Sequence, residues 1–176
     1  KRFDEALDYY NRAYLVDSAN HDSARMAKQY IAIANVLAVT ERVPEAMRYY
    51  ERSIVCSKAV GDTLMEGYIR FNLGEIEMAR SNLTGAVMET ERALAVFEHL
   101  RRPAEIVHVQ ERLGKLYNLV GRYADARRIL TNALEASRRM QLRSERAEVL
   151  QSLAAAHEAL GDAPSALRFY KEHIAL

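Results

Sequence analysis

Residues 111–134 read ERLGKLYNLVGRYADARRILTNAL. No residue here has the surroundings of a catalyst, yet Gly114, Gly121, Ala126 and Ala133 stand among large apolar residues in a spacing that recurs along the chain. With Ala126 as anchor, alanine returns at Ala6, Ala46, Ala86, Ala126 and Ala166, a constant step of 40 residues without a gap. Twelve residues before four of these lies a second small residue, Ala34, Gly74, Gly114 or Ala154. Each of those follows an aliphatic one: Ile33, Leu73, Leu113, Leu153. Eight residues after each anchor comes an apolar position, Tyr14, Ile54, Leu94, Leu134 and Ile174. A fixed period of this length marks a repeat architecture, in which a unit buries its apolar face only by stacking on its neighbours.

Within each unit the apolar spacing is three to four residues, so both halves are helices. The pattern predicts nine helices: a lone one near 2–16, then pairs beginning near 22, 63, 103 and 143. The fold expected is an all-α, right-handed solenoid in a single domain. It comprises a half repeat over 1–20 and full repeats over about 21–62, 63–102, 103–142 and 143–176. Gly121 and Gly161 fall between the halves of their units, where a residue tolerant of positive φ ends a helix. Pro44 and Pro164 open second helices, and Pro103 opens the fourth unit, where a missing N–H costs nothing. Thr63 and Glu66 have capping-box spacing. The small residues have a packing reason, because antiparallel helices approach closely only where a side chain is short. By the same register Arg122 is an exposed site of little consequence for stability.

Composition narrows the function. Among 176 residues, 49% are hydrophobic and 28% charged, which fits a folded globular chain with a sizeable core. The 25 basic and 24 acidic residues leave a formal net charge of +1, too little to attract nucleic acid or an anionic membrane. The pairs Arg101-Arg102, Arg127-Arg128 and Arg138-Arg139 are interrupted by glutamates such as Glu98, Glu135, Glu145 and Glu148, so they read as a solvated face. No run approaches a membrane span, and the first residues lack a signal-peptide core. Both ends read as mid-helix sequence, so the expectation is a segment of a longer protein. Cys56 is the lone cysteine, which excludes an internal disulfide and fits a cytoplasmic protein, with a periplasmic sensor segment as the alternative. No phosphate-binding, dinucleotide, nucleophile-elbow or zinc-protease motif occurs. Glu105 and His108 form one E-x-x-H pair, but a di-metal site needs two. The expectation is no enzyme activity in this segment, no cofactor and no metal.

The pattern Leu113-Gly114, Tyr117, Gly121, Tyr123, Ala126 and Ala133 resembles the tetratricopeptide repeat, lacking chiefly an aromatic at Gln110. The second, third and fifth units match in part, with Glu77 in place of an aromatic and His173 in place of a small residue. The stretch KAVGDTLMEGYIRFNLGEI, residues 58–76, is similar to the longer-repeat variety found in bacterial signalling regulators and some eukaryotic scaffolds. The resemblance implies a protein-interaction scaffold or sensor segment of a multidomain signalling protein. Residues 156–176 resemble the last repeat before an output domain such as a diguanylate cyclase, nucleotide cyclase or histidine kinase.

It also implies that a peptide or partner helix lies in a concave groove lined by the first helices. The residues that the register assigns to that groove are Lys28, Ile31 and Asn35, then Tyr68, Phe71, Asn72 and Glu75. They continue with His108, Glu111, Arg112, Lys115 and Asn118, and end with Gln151, Ser152 and Glu158. Tyr68 and Phe71 stand out, because aromatic residues supply binding area at low entropic cost. Chaperone-binding relatives clamp a C-terminal carboxylate, and Asn35, Asn72 and Arg112 match that pattern. Ile31 and His108 stand where two lysines are expected, so the clamp's charge is missing. The alternatives are a receptor for a small ligand or signalling peptide around Tyr68, Phe71 and Arg112, and a self-assembly module. For self-assembly the face Phe3, Ala6, Leu7, Tyr10, Ala13 and Tyr14 of the first helix predicts a homodimer through an exposed end.

Overall fold

Construction proceeds in steps of half a period. A computed structural model describes residues 2–176 and contains nine helices and no strand among them. They are α1 (Arg2–Ala19), α2 (Ser23–Val39), α3 (Val43–Ala59), α4 (Thr63–Ala79), α5 (Leu83–His99), α6 (Pro103–Leu119), α7 (Tyr123–Arg139), α8 (Arg143–Ala159) and α9 (Ala163–Ile174). Helices α2 to α8 each have 17 residues, and each start lies 20 residues beyond the previous one. The first helix runs to Ala19, three residues past the expected end.

The constant step comes from one turn used eight times. The middle residue of every connection has positive φ: His21, Glu41, Gly61, Ser81, Arg101, Gly121, Gln141 and Gly161, with φ between 52° and 78°. The backbone then folds over the helix end. Arg122 N donates to Tyr117 O at 2.8 Å and Gly121 N to Asn118 O at 3.2 Å, which satisfies carbonyls that the helix leaves open. The glycines were legible as turns. The other five were not, because a side chain in this conformation costs ~1–2 kcal/mol and is set there by the packing on either side.

The next residue starts the following helix. Asp22, Asp62, Asn82 and Asp162 accept from the backbone N–H three residues on, at 3.0 to 3.2 Å. Asp62 therefore caps α4, and Thr63 is its first helical residue, which corrects the capping-box reading. Glu66 turns away to Arg70 at 2.8 Å and Lys58 at 3.2 Å. Where arginine starts the helix, it reaches an acid three residues on, as in Arg42–Glu45 and Arg122–Asp125. Pro44, Pro103 and Pro164 occupy first-turn positions as expected.

The chain divides into two compact units, one ending at Ile76 and the other beginning at Glu77. In the first, α1 packs on α2 and α2 on α3. Its core joins Ile33, Ala34, Leu37, Ala46, Tyr50, Ile54, Ile69 and Leu73. Ser53 stands at the register position of Ala93 and Ala133 and donates to Ala27 O across the α2–α3 seam at 2.8 Å. Leu7 and Tyr10 of α1 pack against this core, and the Tyr14 and Tyr30 rings lie 5.0 Å apart. Much of the face expected to be open on α1 is thus turned onto α2. Its other flank, with Tyr9 and Val16, meets solvent.

In the second unit successive helices α5 to α9 pack in order, and α6 also meets α8. Phe97, Val107, Leu113, Leu130, Val149 and Leu153 are almost wholly buried. Each fully buried side chain of this size contributes ~1.5–3 kcal/mol. Gly114 shows why the register needs small residues. A methyl there would come to 2.4 Å from Cγ and Cδ2 of Leu130 on α7. The anchors Ala46, Ala86 and Ala126 are fully buried for the same reason. Ile174, in the last turn of α9, is 82% exposed. Arg122 departs from expectation. Its guanidinium lies over the Tyr117 ring at 4.2 Å and pairs with Glu91 at 3.2 Å, while Tyr117 Oη donates to Glu91 at 2.7 Å. It ties three helices.

Two substitutions test these points by urea midpoint. Gly114→Ala should destabilise by about 1–3 kcal/mol despite the better helix former, because Leu130 has no room to retreat. Gln141→Gly should stabilise by about 0.5–1 kcal/mol by releasing the side chain from positive φ. An unchanged midpoint for the first, or a loss for the second, contradicts the packing and turn assignments.

Candidate partner-binding cleft

The sequence-assigned residues fall in two sets, one in each unit. In the first, α2 carries Lys28, Ile31 and Asn35, and α4 carries Tyr68, Phe71, Asn72 and Glu75. Lys28 is exposed and Tyr68 is 40% exposed. Ile31 packs against the core cluster, so it is partly engaged in holding the helices. Asn35 and Asn72 share a task that the sequence did not reveal. The Tyr50 hydroxyl of α3 donates to Asn35 Oδ1 and is also hydrogen-bonded by Asn72. Burial raises the Tyr50 hydroxyl's pKa, with the Asn72 hydrogen bond opposing. These asparagines link α2, α3 and α4 and are not arranged as a free pair awaiting a carboxylate.

In the second unit the assignments converge. α6 presents His108, Glu111, Arg112 and Lys115, and α8 presents Ser144, Glu145 and Glu148 across an open polar cleft of about 350 Å³. The 3–4 spacing on α6 puts its four residues on one flank. Lys115 Nζ is held between two carboxylates, 2.8 Å from Glu111 Oε1 and 2.6 Å from Glu148 Oε2 on the other helix. Burial alone would lower the Lys115 pKa, but its hydrogen bonds to Glu111 and Glu148 outweigh that and raise it, so the ammonium persists at neutral pH. The Lys115 hydrogen bond holds Glu148 below the usual carboxylate range. Glu111 is 4% exposed and forms the floor. Arg112 Nε lies 3.8 Å from its Oε2.

Below the cleft, Asn118 Nδ2 donates to the carbonyl of Ser152 at 2.9 Å, a second α6–α8 link, and Ser152 is itself buried. Gln151 and Glu158 are exposed on α8. Glu158 accepts from the Tyr170 hydroxyl at 3.2 Å. Glu145 and Glu148, on the facing helix, were read in the sequence only as charges interrupting the arginine pairs. The approach of Glu148 to Lys115 depends on α6 and α8 meeting.

Glu105 of the E-x-x-H pair binds Arg102. Burial pushes the Cys56 thiol above its ordinary pKa. Among the described residues no group of three or more His, Cys, Asp or Glu is placed to hold a metal ion, and no helix is long and apolar enough to cross a membrane.

The linkage predicts an acid sensitivity. Glu148 titrates lower folded than unfolded, so its contribution is complete above the ordinary glutamate value of ~4.3 and is lost as pH falls through the lowered one. Lys115→Met should flatten that acid limb and cost about 1–3 kcal/mol at neutral pH by stranding buried Glu111, whereas Lys115→Arg should retain most of both. Urea midpoints followed across pH check this. An unaltered limb in Lys115→Met would show that the bridge is not formed in solution.

Residues 105–176 match the sequence model of the tetratricopeptide repeat family. The Arabidopsis thaliana protein kinesin light chain-related 1 is 29% identical over 144 residues, which cover 76% of this chain and 23% of that protein. The chain thus spans about a quarter of that relative's length. The crystal structure of BtubC (BKLC) from P. vanneervenii superposes with a TM-score of 0.87 at 21% identity, covering 99% of this chain and 73% of that one. The apo form of RapI gives 0.89 at 16% identity, covering 98% of this chain and 48% of that one. At such identities the structural likeness speaks for the fold. With the unbroken 40-residue register, the chain has the fold of a long-period helical-repeat array, and its residues 105–176 match the tetratricopeptide repeat.

Proposed function

We propose that this chain is a protein-interaction scaffold or sensor segment that binds a peptide or partner helix along its first helices, with the α6–α8 cleft as the principal contact. One observation carries the reading. Four groove residues assigned from the register, His108, Glu111, Arg112 and Lys115, face three polar residues of α8 across an open cleft. The cleft contains three carboxylates and two permanent cations, so it can pair with a polar segment through charged hydrogen bonds. Lys115 and Glu148 are part-exposed, and their mutual bridge is worth only ~0–1 kcal/mol, so a partner can replace it without unfolding the unit. The first-unit residues Lys28, Tyr68, Phe71 and Glu75 extend the same reading to α2 and α4. The regulatory role in a larger signalling protein, and its cytoplasmic setting, belong to this proposal. They are supported by the tetratricopeptide repeat match over residues 105–176.

Selection of random 12-residue peptides displayed on phage, followed by affinity measurement on the folded chain, tests it. Selected peptides should lose about tenfold or more in affinity on His108→Glu or Gln151→Arg, the scale of one good charged contact. They should be indifferent to Arg127→Glu on the exposed side of α7. Failure to select any binder, or equal losses for all three variants, would overturn the cleft as the binding surface.

A further inference from the structure

Two places in the second unit share one register and differ in what they do with it. In the later one Leu150 of α8 is fully buried, and Arg138 of α7 pairs with Glu172 of α9. Each of these residues has a counterpart one period earlier: Gln110 for Leu150, Glu98 for Arg138 and Asn132 for Glu172. The three counterparts line a groove of about 230 Å³ between α5 and α7, floored by α6. All three helices of this groove are present, so neither wall is an end of the array. Gln110 is 7% exposed, yet among the described residues nothing hydrogen-bonds its side-chain amide. Glu98, exposed on the rim, has no ion pair among the described residues. The other end of the groove is occupied by its own charges. Glu91 accepts from the Tyr117 hydroxyl at 2.7 Å and pairs with Arg122, and Arg128 lies 3.9 Å from Asp125. Glu91 and Glu98 are seven residues apart, as are Gln110 and Tyr117, or ~10.5 Å in each helix. Because α6 runs back along α5, the Glu91–Tyr117 bond sets Gln110 level with Glu98.

We propose that the Glu98–Gln110–Asn132 end of this groove receives an arginine side chain from a partner protein. Charge complementarity selects that occupant. One period later the same positions are closed by an arginine–glutamate pair and a leucine, whereas here the groove offers a carboxylate, two amides and no cation at that end. A guanidinium presents five N–H donors in a planar fork and carries a permanent charge. It can pair with the Glu98 carboxylate while donating to the amide oxygens of Gln110 and Asn132, and so satisfies a buried amide that the fold leaves without a partner. Arginine is also less strongly hydrated than lysine, which suits a floor as buried as Gln110. The volume fits one side chain and falls below the ~300–1,000 Å³ of small-molecule pockets. Gln110 and Tyr117 lie on the flank of α6 opposite His108, Glu111, Arg112 and Lys115, so this contact is separate from the α6–α8 cleft.

Titration of the isotope-labelled chain with the blocked peptide Ala-Ala-Arg-Ala-Ala, followed by nuclear magnetic resonance, tests the pairing. The peptide should shift the side-chain amide signals of Gln110 and Asn132 saturably at millimolar concentration. Its citrulline counterpart, alike in shape but uncharged, should bind at least about tenfold more weakly, as should the arginine peptide to Glu98→Gln. Gln110→Leu copies the buried leucine of the later unit, so it should keep the helix content and the urea midpoint while abolishing the response at Asn132. His108→Glu, in the α6–α8 cleft, should leave the response unchanged, which separates this contact from the one proposed there. Absence of a saturable response, equal binding of the citrulline peptide, or a response that survives both Gln110→Leu and Glu98→Gln would overturn the proposal.

Discussion

The close approach of Gly114 to Leu130 is the constraint from which the rest follows. Two 17-residue helices must lie close enough that a hydrogen atom on one accommodates a leucine from the other. The buried alanines at the 40-residue step make room at corresponding positions along the chain. Overpacking a filled interior is costly, so the register tolerates large residues at some positions and refuses them at others. The turns inherit this constraint. With helices of constant length packed side by side, the connection has one geometry, and His21, Glu41, Ser81, Arg101 and Gln141 adopt positive φ because the helices around them require it.

A layer of polar ties is added to the packing. Tyr50 joins Asn35 and Asn72, Asn118 reaches the Ser152 backbone, and Arg122 covers Tyr117 while pairing with Glu91. Each tie satisfies a polar group that packing would otherwise strand, and each fixes how neighbouring helices slide along one another. The α6–α8 cleft differs in kind. Glu111 is buried and depends on Lys115, but Glu148, Glu145 and His108 remain reachable from solvent. Charges with modest mutual attraction over a helical floor are what the proposed polar partner would meet.

How far the site was legible depends on how many helices each residue needed. His108, Arg112 and Lys115 could be assigned to one flank of α6 because their positions follow from one helix and its register. The facing Glu145 and Glu148 lie 30 and 33 residues beyond Lys115, and their presence in one cleft is a property of packed helices. The structural task of the asparagines was not legible, for the converse reason. An amide on a helix face looks available until the tyrosine that engages it arrives from the neighbouring helix. The first helix shows the same limit, since its period marks an apolar stripe on either of two flanks and only packing on α2 decides which is covered.

The sequence by itself determined the helical class, the 40-residue period, the positions that must be small and the glycine-marked turns. Each of these is imposed locally, by side-chain volume, helical period or backbone freedom, and so is written at single positions. Tertiary structure alone decided that Asp62 and not Thr63 caps α4, that Arg122 is a structural tie and that Lys115 bridges two helices. Those outcomes depend on which of several chemically adequate partners comes within about 3 Å, and that distance is set only when separate helices have packed.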